Sequence, residues 1–356
     1  MSTQKALVFS GGGSKGAYAV GVLTFLKDHR PEWFADGRFT ATGYFGTSTG
    51  ALIAPLAALG EVALLTEFYT NTQQSDLLVP QDGATILRRG CLFDSTGLDN
   101  LVDTVYTPVR FGLLTDPAIR VGVTATCLQT GDLLIATTRP LPDRLPQYRT
   151  RTLGSRNDLV DAVRASAHQP FFMRPVRFRS DPPQPPRFYV DGGVREYAAI
   201  QVALDAGADE VLAILLSPET PPPDDTLSTT DLISVLQRTI DIFSEDVNLN
   251  DVRVPDLISR GTNYWLAVRA NLFAAGLPPA QVEALLSPPN APRPMAYAGP
   301  TKIHVIRPAT PLGGGPGGLT FDPVEMKQMF ARGVADATAY FRQLDQNGGV
   351  PPATLT

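Results

Sequence analysis

Lys5-Ala6-Leu7-Val8-Phe9 is an apolar run of strand length, and it stops at Ser10-Gly11-Gly12-Gly13-Ser14-Lys15-Gly16. From Ala17 to Leu26 apolar residues then recur at helical spacing. A buried strand, a glycine turn and a helix in direct succession commit a chain to an α/β architecture, because the helix must pack back on the sheet it has just left. The succession recurs at Gly43-Tyr44-Phe45, Gly46 to Gly50 and Ala51-Leu52-Ile53-Ala54. Strands are expected near residues 5–9, 42–46, 119–126, 132–138, 187–190, 209–215 and 302–306. Helices are expected after both glycine turns, after Asp191, and near 61–70 and 157–167. The pattern predicts a mostly parallel central sheet with helices on both faces. The segment 119–138, turning at Thr130-Gly131, is the expected antiparallel exception.

Both glycine turns carry chemistry as well as geometry. In Gly46-Thr47-Ser48-Thr49-Gly50 a serine sits between glycines where a strand turns sharply into a helix. No Cβ fits on either side, and the turn lifts the Ser48 hydroxyl off the sheet. The helix N-terminus then faces any oxygen that becomes negative when Ser48 attacks a carbonyl. The earlier run, Gly11 to Gly16, is a nest of backbone N–H groups suited to an anion. Taken with Ser48, the amides of Gly11, Gly12 and Gly13 make an oxyanion hole. Gly11-x-Gly13-x-x-Gly16 also fits a dinucleotide fingerprint, which asks for an acidic residue ending a second strand about 20 residues on. The segment His29-Arg30-Pro31-Glu32 offers a proline and no convincing strand before Glu32. A P-loop is excluded, since no lysine followed by serine or threonine comes after Gly16. A tight turn without a ligand is the plain alternative for this loop.

A third motif lies further on. Arg187-Phe188-Tyr189-Val190 ends at Asp191-Gly192-Gly193, which puts a carboxylate at the C-terminal end of a strand, where open α/β sheets keep their chemistry. An Asp-Gly β-turn is the other common use of that dipeptide. Together and in order, the three motifs resemble the patatin-like phospholipase family, which carries G-G-G-x-[KR]-G, G-x-S-x-G and D-G-[AG]. Here they read Gly11-Gly12-Gly13-Ser14-Lys15-Gly16, Gly46 to Gly50, and Asp191-Gly192-Gly193. Val121 to Thr126 with Thr130-Gly131-Asp132 is similar to the family's central hairpin. Ala165-Ser166-Ala167 with Pro170-Phe171-Phe172 and Pro175-Val176 is similar to the segment before its aspartate. The likeness covers about residues 5–215, with a weaker echo at Phe321-Asp322-Pro323.

The resemblance implies a patatin-like three-layer α/β/α fold, a lipid or ester substrate with phospholipid and lysophospholipid esters favoured, and a Ser-Asp dyad without histidine. Ser48 would be the acylated nucleophile, and Asp191 would take its proton and return it to the leaving alcohol. A free aspartate, at a pKa of about 3.9, is a poor base for an alcohol; burial beside Phe188 and Val190 would raise it. Thr49 would add a backbone N–H to the oxyanion site. A Ser-acid-His triad stays open as an alternative, since Ser48, Asp191 and His304 follow the α/β-hydrolase order. Of the three histidines, His29 suits a helix end, His168 suits a loop near the site, and His304 falls inside the strand-like run Lys302 to Ile306. A non-catalytic nucleotide- or lipid-binding protein is the alternative of another class.

Composition narrows the field. The chain of 356 residues, 43% hydrophobic, is long enough to bury a large core in one domain. No signal peptide and no apolar span of about 18 residues is evident, so a cytoplasmic location is expected. Cys91 and Cys127 are too few for a disulfide framework or a cysteine-rich metal site. No ligand set suits zinc and no acidic loop has calcium spacing, so neither metal nor cofactor is expected. A net charge of −5 argues against nucleic acid as a partner. From Arg139 to Arg187, however, ten arginines face four aspartates. That run is either a face for peripheral contact with anionic membrane headgroups or a solvated loop, around Arg144, Arg149, Arg151 and Arg156. Lys15 has the same two readings, binding an anionic group or neutralising the local field. Oligomeric state is left open.

The remaining organisation is expected to be one domain over residues 1–345 with a helical insertion near 217–300. Pro218, Pro221, Pro222 and Pro223 form a linker into an amphipathic helix over about 228–248. Further helices are expected near 262–275 and 279–287, and Leu272 to Leu277 supplies either a lid, an acyl-chain wall or ordinary packing. Pro308 to Gly318 has no assignable chemistry. Phe321 to Leu344 predicts a C-terminal helix, and residues 346–356 a mobile tail.

Overall fold

A computed structural model describes residues 3–141, 147–182, 185–220, 223, 232–287 and 299–352. Its central sheet holds β1 (Lys5–Phe9), β2 (Gly43–Gly46), β3 (Arg120–Cys127), β4 (Leu133–Thr137), β5 (Arg149–Thr152), β6 (Tyr189–Asp191), β7 (Glu210–Ile214) and β8 (Lys302–Ile306). Spatial order is β8-β7-β1-β2-β3-β4-β5, with β6 paired to β3. The run from β8 to β3 is parallel throughout. The hairpin β3–β4 is antiparallel, as its Thr130-Gly131 turn predicts.

Around this sheet lie α1 (Gly16–His29), α2 (Thr49–Ala58), α3 (Val62–Asn71), α4 (Gly83–Arg89), α5 (Thr96–Val105), α6 (Pro108–Leu114), α7 (Arg156–Ala167), α8 (Ile200–Asp205), α9 (Leu232–Ala274), α10 (Pro279–Leu286) and α11 (Pro323–Gln346). Strand alternation sends Leu7, Phe9, Tyr44, Val123 and Leu212 into one core, shared with α1, α2, α5, α7 and α11. It sends Ala6, Val8, Phe45, Val211 and Ala213 into a second, covered by α8 and by Val252 of α9. Both faces of the parallel strands are therefore buried, the condition for near-continuous apolar runs such as Ala6 to Phe9. The expected mostly parallel three-layer α/β/α arrangement is observed.

The structure corrects the sequence reading in four places. Arg149–Thr152 is an edge strand parallel to β4, not a solvated loop. Its arginines are spent: Arg151 binds Asp181 at 2.6 Å and lies over the Phe178 ring, and Arg149 faces Asp132 at 3.7 Å. Arg144 lies outside the described residues. β6 runs antiparallel to β3, so Asp191 reaches the carboxyl edge of the parallel strands from the opposite direction. After Asp191 comes one 3-10 turn, Gly192–Val194, before the short α8. The helices predicted to end at 248 and restart at 262 are one continuous α9, although Pro255 lacks the N–H that the Asp251 carbonyl would use. Anchors on both sides of Pro255 carry the helix across: Val252 is buried, and Ser259 and Asn263 hydrogen-bond Thr301. Residues 224–231, where that helix was expected to begin, and residues 353–356 of the tail lie outside the described residues. Leu272 to Leu277 do not line the cavity beside Ser48 described below.

Candidate active site

The loops leaving the carboxyl ends of adjacent β1 and β2 meet at Ser48. This residue caps α2 with φ 56 and ψ −122, a backbone conformation that non-glycine residues rarely adopt. The flanking glycines make the turn feasible. A Cβ on Gly46 would lie 2.0 Å from the Gly50 carbonyl oxygen, and one on Gly50 would lie 2.1 Å from that of Phe9. The Ser48 amide donates to Ser166 Oγ on α7 at 2.9 Å, so a buried hydroxyl from a distant helix pins the strained residue. Thr47, one step earlier, receives the Thr124 hydroxyl at 2.8 Å.

Register explains how Asp191 reaches the serine. Gly46, ending β2, pairs with Val123, and Asp191 pairs with Ala125, two residues further along β3. That places the carboxylate just beyond the end of β2, where Ser48 sits. The Asp191 amide donates to the His168 carbonyl at 2.9 Å, and its Oδ1 accepts the Gly193 amide at 2.7 Å. Gly192 has no alternative, since a Cβ there would lie 2.0 Å from Thr124 Oγ1. Burial pushes the Asp191 carboxyl up to about 6, against the opposing pull of the Gly193 amide and of a hydrogen bond with the Ser48 hydroxyl. Ser48 and Asp191 are 5% and 4% exposed, so bulk water barely screens either group.

The glycine loop lies over the serine in an altered role from that expected of its first residue. The Gly11 amide is committed to the Tyr197 carbonyl at 3.1 Å and is not available to an oxyanion. Gly11 is instead needed for proximity: a Cβ there would sit 3.3 Å from Ser48 Cβ and 3.2 Å from the Tyr197 ring. Among the described residues, the amides of Gly12, Gly13 and Thr49 donate to no protein acceptor. Gly16 lets Tyr69 and Thr49 approach, and the hydroxyls of those two residues are hydrogen-bonded to each other. Lys15 faces Asp241 and Glu245 of α9; burial lowers its pKa and the two carboxylates partly restore it.

Several contributors escape a sequence reading. Tyr197 and Ala198 donate their amides to Asp251 of α9, so the long helix fixes the segment that in turn holds Gly11. The loop around Gly313 to Gly318 presses on the glycine loop: a Cβ on Gly13 would lie 2.1 Å from the Gly318 carbonyl, and Gln169 Nε2 donates to Gly317 at 3.0 Å. Only Ser166 left a trace in the sequence, as a lone hydroxyl within Ala165-Ser166-Ala167. His168 is buried and bonded to Asp99 and to the Arg174 carbonyl. Both ring nitrogens of His304 are engaged elsewhere: it sits mid-strand in β8, with Nδ1 on Tyr340 at 2.8 Å and Nε2 on Glu210 at 3.0 Å.

Beside Ser48 opens a cavity of about 810 Å³ of atom-free space, its open mouth included. Leu52, Leu56, Leu65, Leu98, Val102 and Met326 supply much of its wall. The two tyrosine hydroxyls in that wall are already spent, Tyr69 on Thr49 and Tyr106 on the Leu52 carbonyl. The site thus joins a serine hydroxyl and a carboxyl to a mostly apolar chamber.

Among the described residues no helix is long and apolar enough to cross a membrane, and no cluster of three or more histidine, cysteine, aspartate or glutamate side chains could hold a metal. No curated protein matches the chain. Among solved structures it is similar to VipD from Legionella pneumophila, at 11% identity and a TM-score of 0.37, over 97% of this chain and 67% of that one. The family model for patatin-like phospholipase matches residues 7–204, a span that starts in β1 and includes both Ser48 and Asp191. By that match the chain belongs to the patatin-like phospholipase family.

Proposed function

We propose that the protein is a serine acyl hydrolase that cleaves carboxylic ester bonds of lipids through Ser48 and Asp191. Ser48 Oγ attacks the acyl carbonyl while Asp191 accepts its proton and passes it to the departing alcohol. Water then attacks the acyl-serine, with Asp191 again taking a proton and returning it to Ser48. The amides of Gly12 and Gly13, with that of Thr49 at the N-terminus of α2, hold the oxyanion; one such donor is typically worth about 10²- to 10³-fold in rate. A carboxyl raised to about 6 is a better base than a free aspartate and is still mostly ionised at neutral pH.

The observation that supports this reading is the placement of buried Ser48 and Asp191 at the ends of β2 and β6, both paired to β3, with Ser48 opening on a mostly apolar chamber. A nucleotide would find a mostly apolar wall there, and the charge of Lys15, its natural phosphate partner, is already offset by the nearby Asp241 and Glu245. Family membership favours phospholipid and lysophospholipid esters within the wider class. The test is hydrolysis of a p-nitrophenyl ester series by wild type, Ser48→Ala, Asp191→Asn and His304→Ala. Ser48→Ala and Asp191→Asn are expected to lose nearly all turnover and His304→Ala to keep most of it. Full activity in Ser48→Ala would refute the proposal, and loss in a folded His304→Ala would replace the dyad with a triad.

A further inference from the structure

We propose that the hairpin tip bearing α4, together with the adjoining loop over residues 171–177, seats the protein on an anionic lipid bilayer. The proposal rests on the reading of the site as one for lipid esters and adds the surface through which such a substrate is met. Val79–Pro80 pairs antiparallel with Phe93–Asp94, and α4 spans the tip between them. α4 buries none of its residues, yet it is well formed. Asp82 caps it by accepting the Thr85 amide at 2.9 Å, and Gly90 ends it in the left-handed conformation. Leu87 on this helix is 90% exposed, and Val79 at the hairpin's base and Phe171 are also exposed.

The tip and the loop form one body, since the Leu92 and Phe93 amides donate to the Phe171 and Phe172 carbonyls. The same tip and loop carry Arg88, Arg174 and Arg177, all exposed and with no carboxylate partner among the described residues. Their neighbours Arg89 and Arg179 are neutralised by Asp94 and Asp161. Asp82 stays ionised while it caps α4 and offsets Arg88, so the excess positive charge rests on Arg174 and Arg177. Unpaired guanidinium groups and exposed hydrocarbon on the same joined segments supply the two signals that peripheral membrane binding needs together, insertion and charge. For a chain of net charge −5, a local basic face also dictates which way the molecule approaches an anionic surface.

Position favours the same partner. Leu78 and Phe321 line both the catalytic cavity and an open surface groove that also includes Val79 and Pro80. A bilayer held at the tip therefore lies against the entrance to the chamber. α9 shows another exposed apolar stripe, with Phe243, Leu257 and Tyr264, but exposed Asp246 shares that face. No residue of α9 lines the cavity or the groove.

The experiment is co-sedimentation of Ser48→Ala protein with vesicles of phosphatidylcholine alone and with 30% phosphatidylserine, so that turnover does not blur binding. Binding is expected only with phosphatidylserine and is expected to weaken in 0.5 M NaCl. On that background Leu87→Asp should lower partitioning about tenfold. Arg174→Glu with Arg177→Glu should lower it about 25-fold, at roughly fivefold per arginine. Leu257→Asp should bind like its parent, and all variants should keep the parental melting temperature, since every site is exposed. Failure of the parent to bind, or a loss confined to Leu257→Asp, would overturn the proposal. Variant-sensitive binding by a protein whose wild type turns over no ester would overturn the enzymatic reading and leave the docking surface standing. Ester turnover with binding indifferent to Leu87 and the two arginines would do the reverse.

Discussion

Replacing Asp191 by asparagine should abolish turnover and at the same time stabilise the fold. The wild-type carboxyl is 4% exposed, and its pKa rises from 3.8 to about 6, chiefly because burial penalises the charged form. At about 1.4 kcal/mol for each pH unit between those values, the ionised group costs the native state about 3 kcal/mol. The direction follows from proton binding. Between pH 3.8 and about 6 the folded protein holds a proton that the unfolded chain has released, so the wild-type group loses its stabilising contribution as pH rises through that window. Asparagine is the same shape, accepts the Gly193 amide, and does not titrate. Its advantage should be near zero close to pH 4, grow through pH 5, and level off above pH 6. For a chain of this length the plateau corresponds to about 4 °C in melting temperature. Urea midpoints or calorimetric melting of both proteins from pH 4.5 to 8 would measure it, beside the wild-type kcat/KM profile, expected to rise with a midpoint near 6. An advantage that is absent at pH 8, or equal at both ends of the range, would refute the claim that burial holds this carboxyl against its own ionisation.

Gly46→Ala should fail to fold, because its methyl has only backbone to meet at 2.0 Å, whereas Gly11→Ala, with contacts of 3.2 and 3.3 Å, should fold and lose kcat; solubility and ester turnover separate the two. Ser166→Ala leaves the buried Ser48 amide without its acceptor and should cost about 1–3 kcal/mol in urea unfolding together with a fall in kcat. Asp251→Ala should free the Tyr197 and Ala198 amides, loosen Gly11, and lower kcat by roughly ten- to a hundredfold. Asp251→Asn keeps an acceptor oxygen and should recover most of that loss; equal defects in both would assign the effect to charge.

The parts of the site that could be read in the sequence are those whose chemistry is local. Gly46, Gly50 and Gly192 stand where a Cβ would strike neighbouring atoms, and Ser48 and Asp191 sit beside such glycines, so residue identity alone points to them. What escaped was fixed by the backbones of distant segments. Nothing in the type of residue 197 tells that its carbonyl takes the Gly11 amide, and an aspartate at 251 looks like any polar position on an amphipathic helix. The same distinction governs the fold. Buried parallel strands announce themselves as apolar runs, whereas β5, built from Arg149 to Thr152 at the sheet's margin, is held by ion pairs and reads as a charged loop. Pro255 reads as a helix breaker because its cost is local, while the contacts of Ser259 and Asn263 to Thr301 that outweigh it span about forty residues.

The family match ends at residue 204, but β1 has a neighbour on each side, and one of them is β7, which follows that boundary. A fragment trimmed at 204 would strip the flank of Lys5–Phe9 and expose a ladder of unpaired amides and carbonyls to any other strand in solution. Ser10 would lose the Ile214 carbonyl in the same cut, just where the chain enters the glycine loop. Such a minimal fragment, though it keeps Ser48 and Asp191, would be recovered as inclusion bodies and not as a small working enzyme.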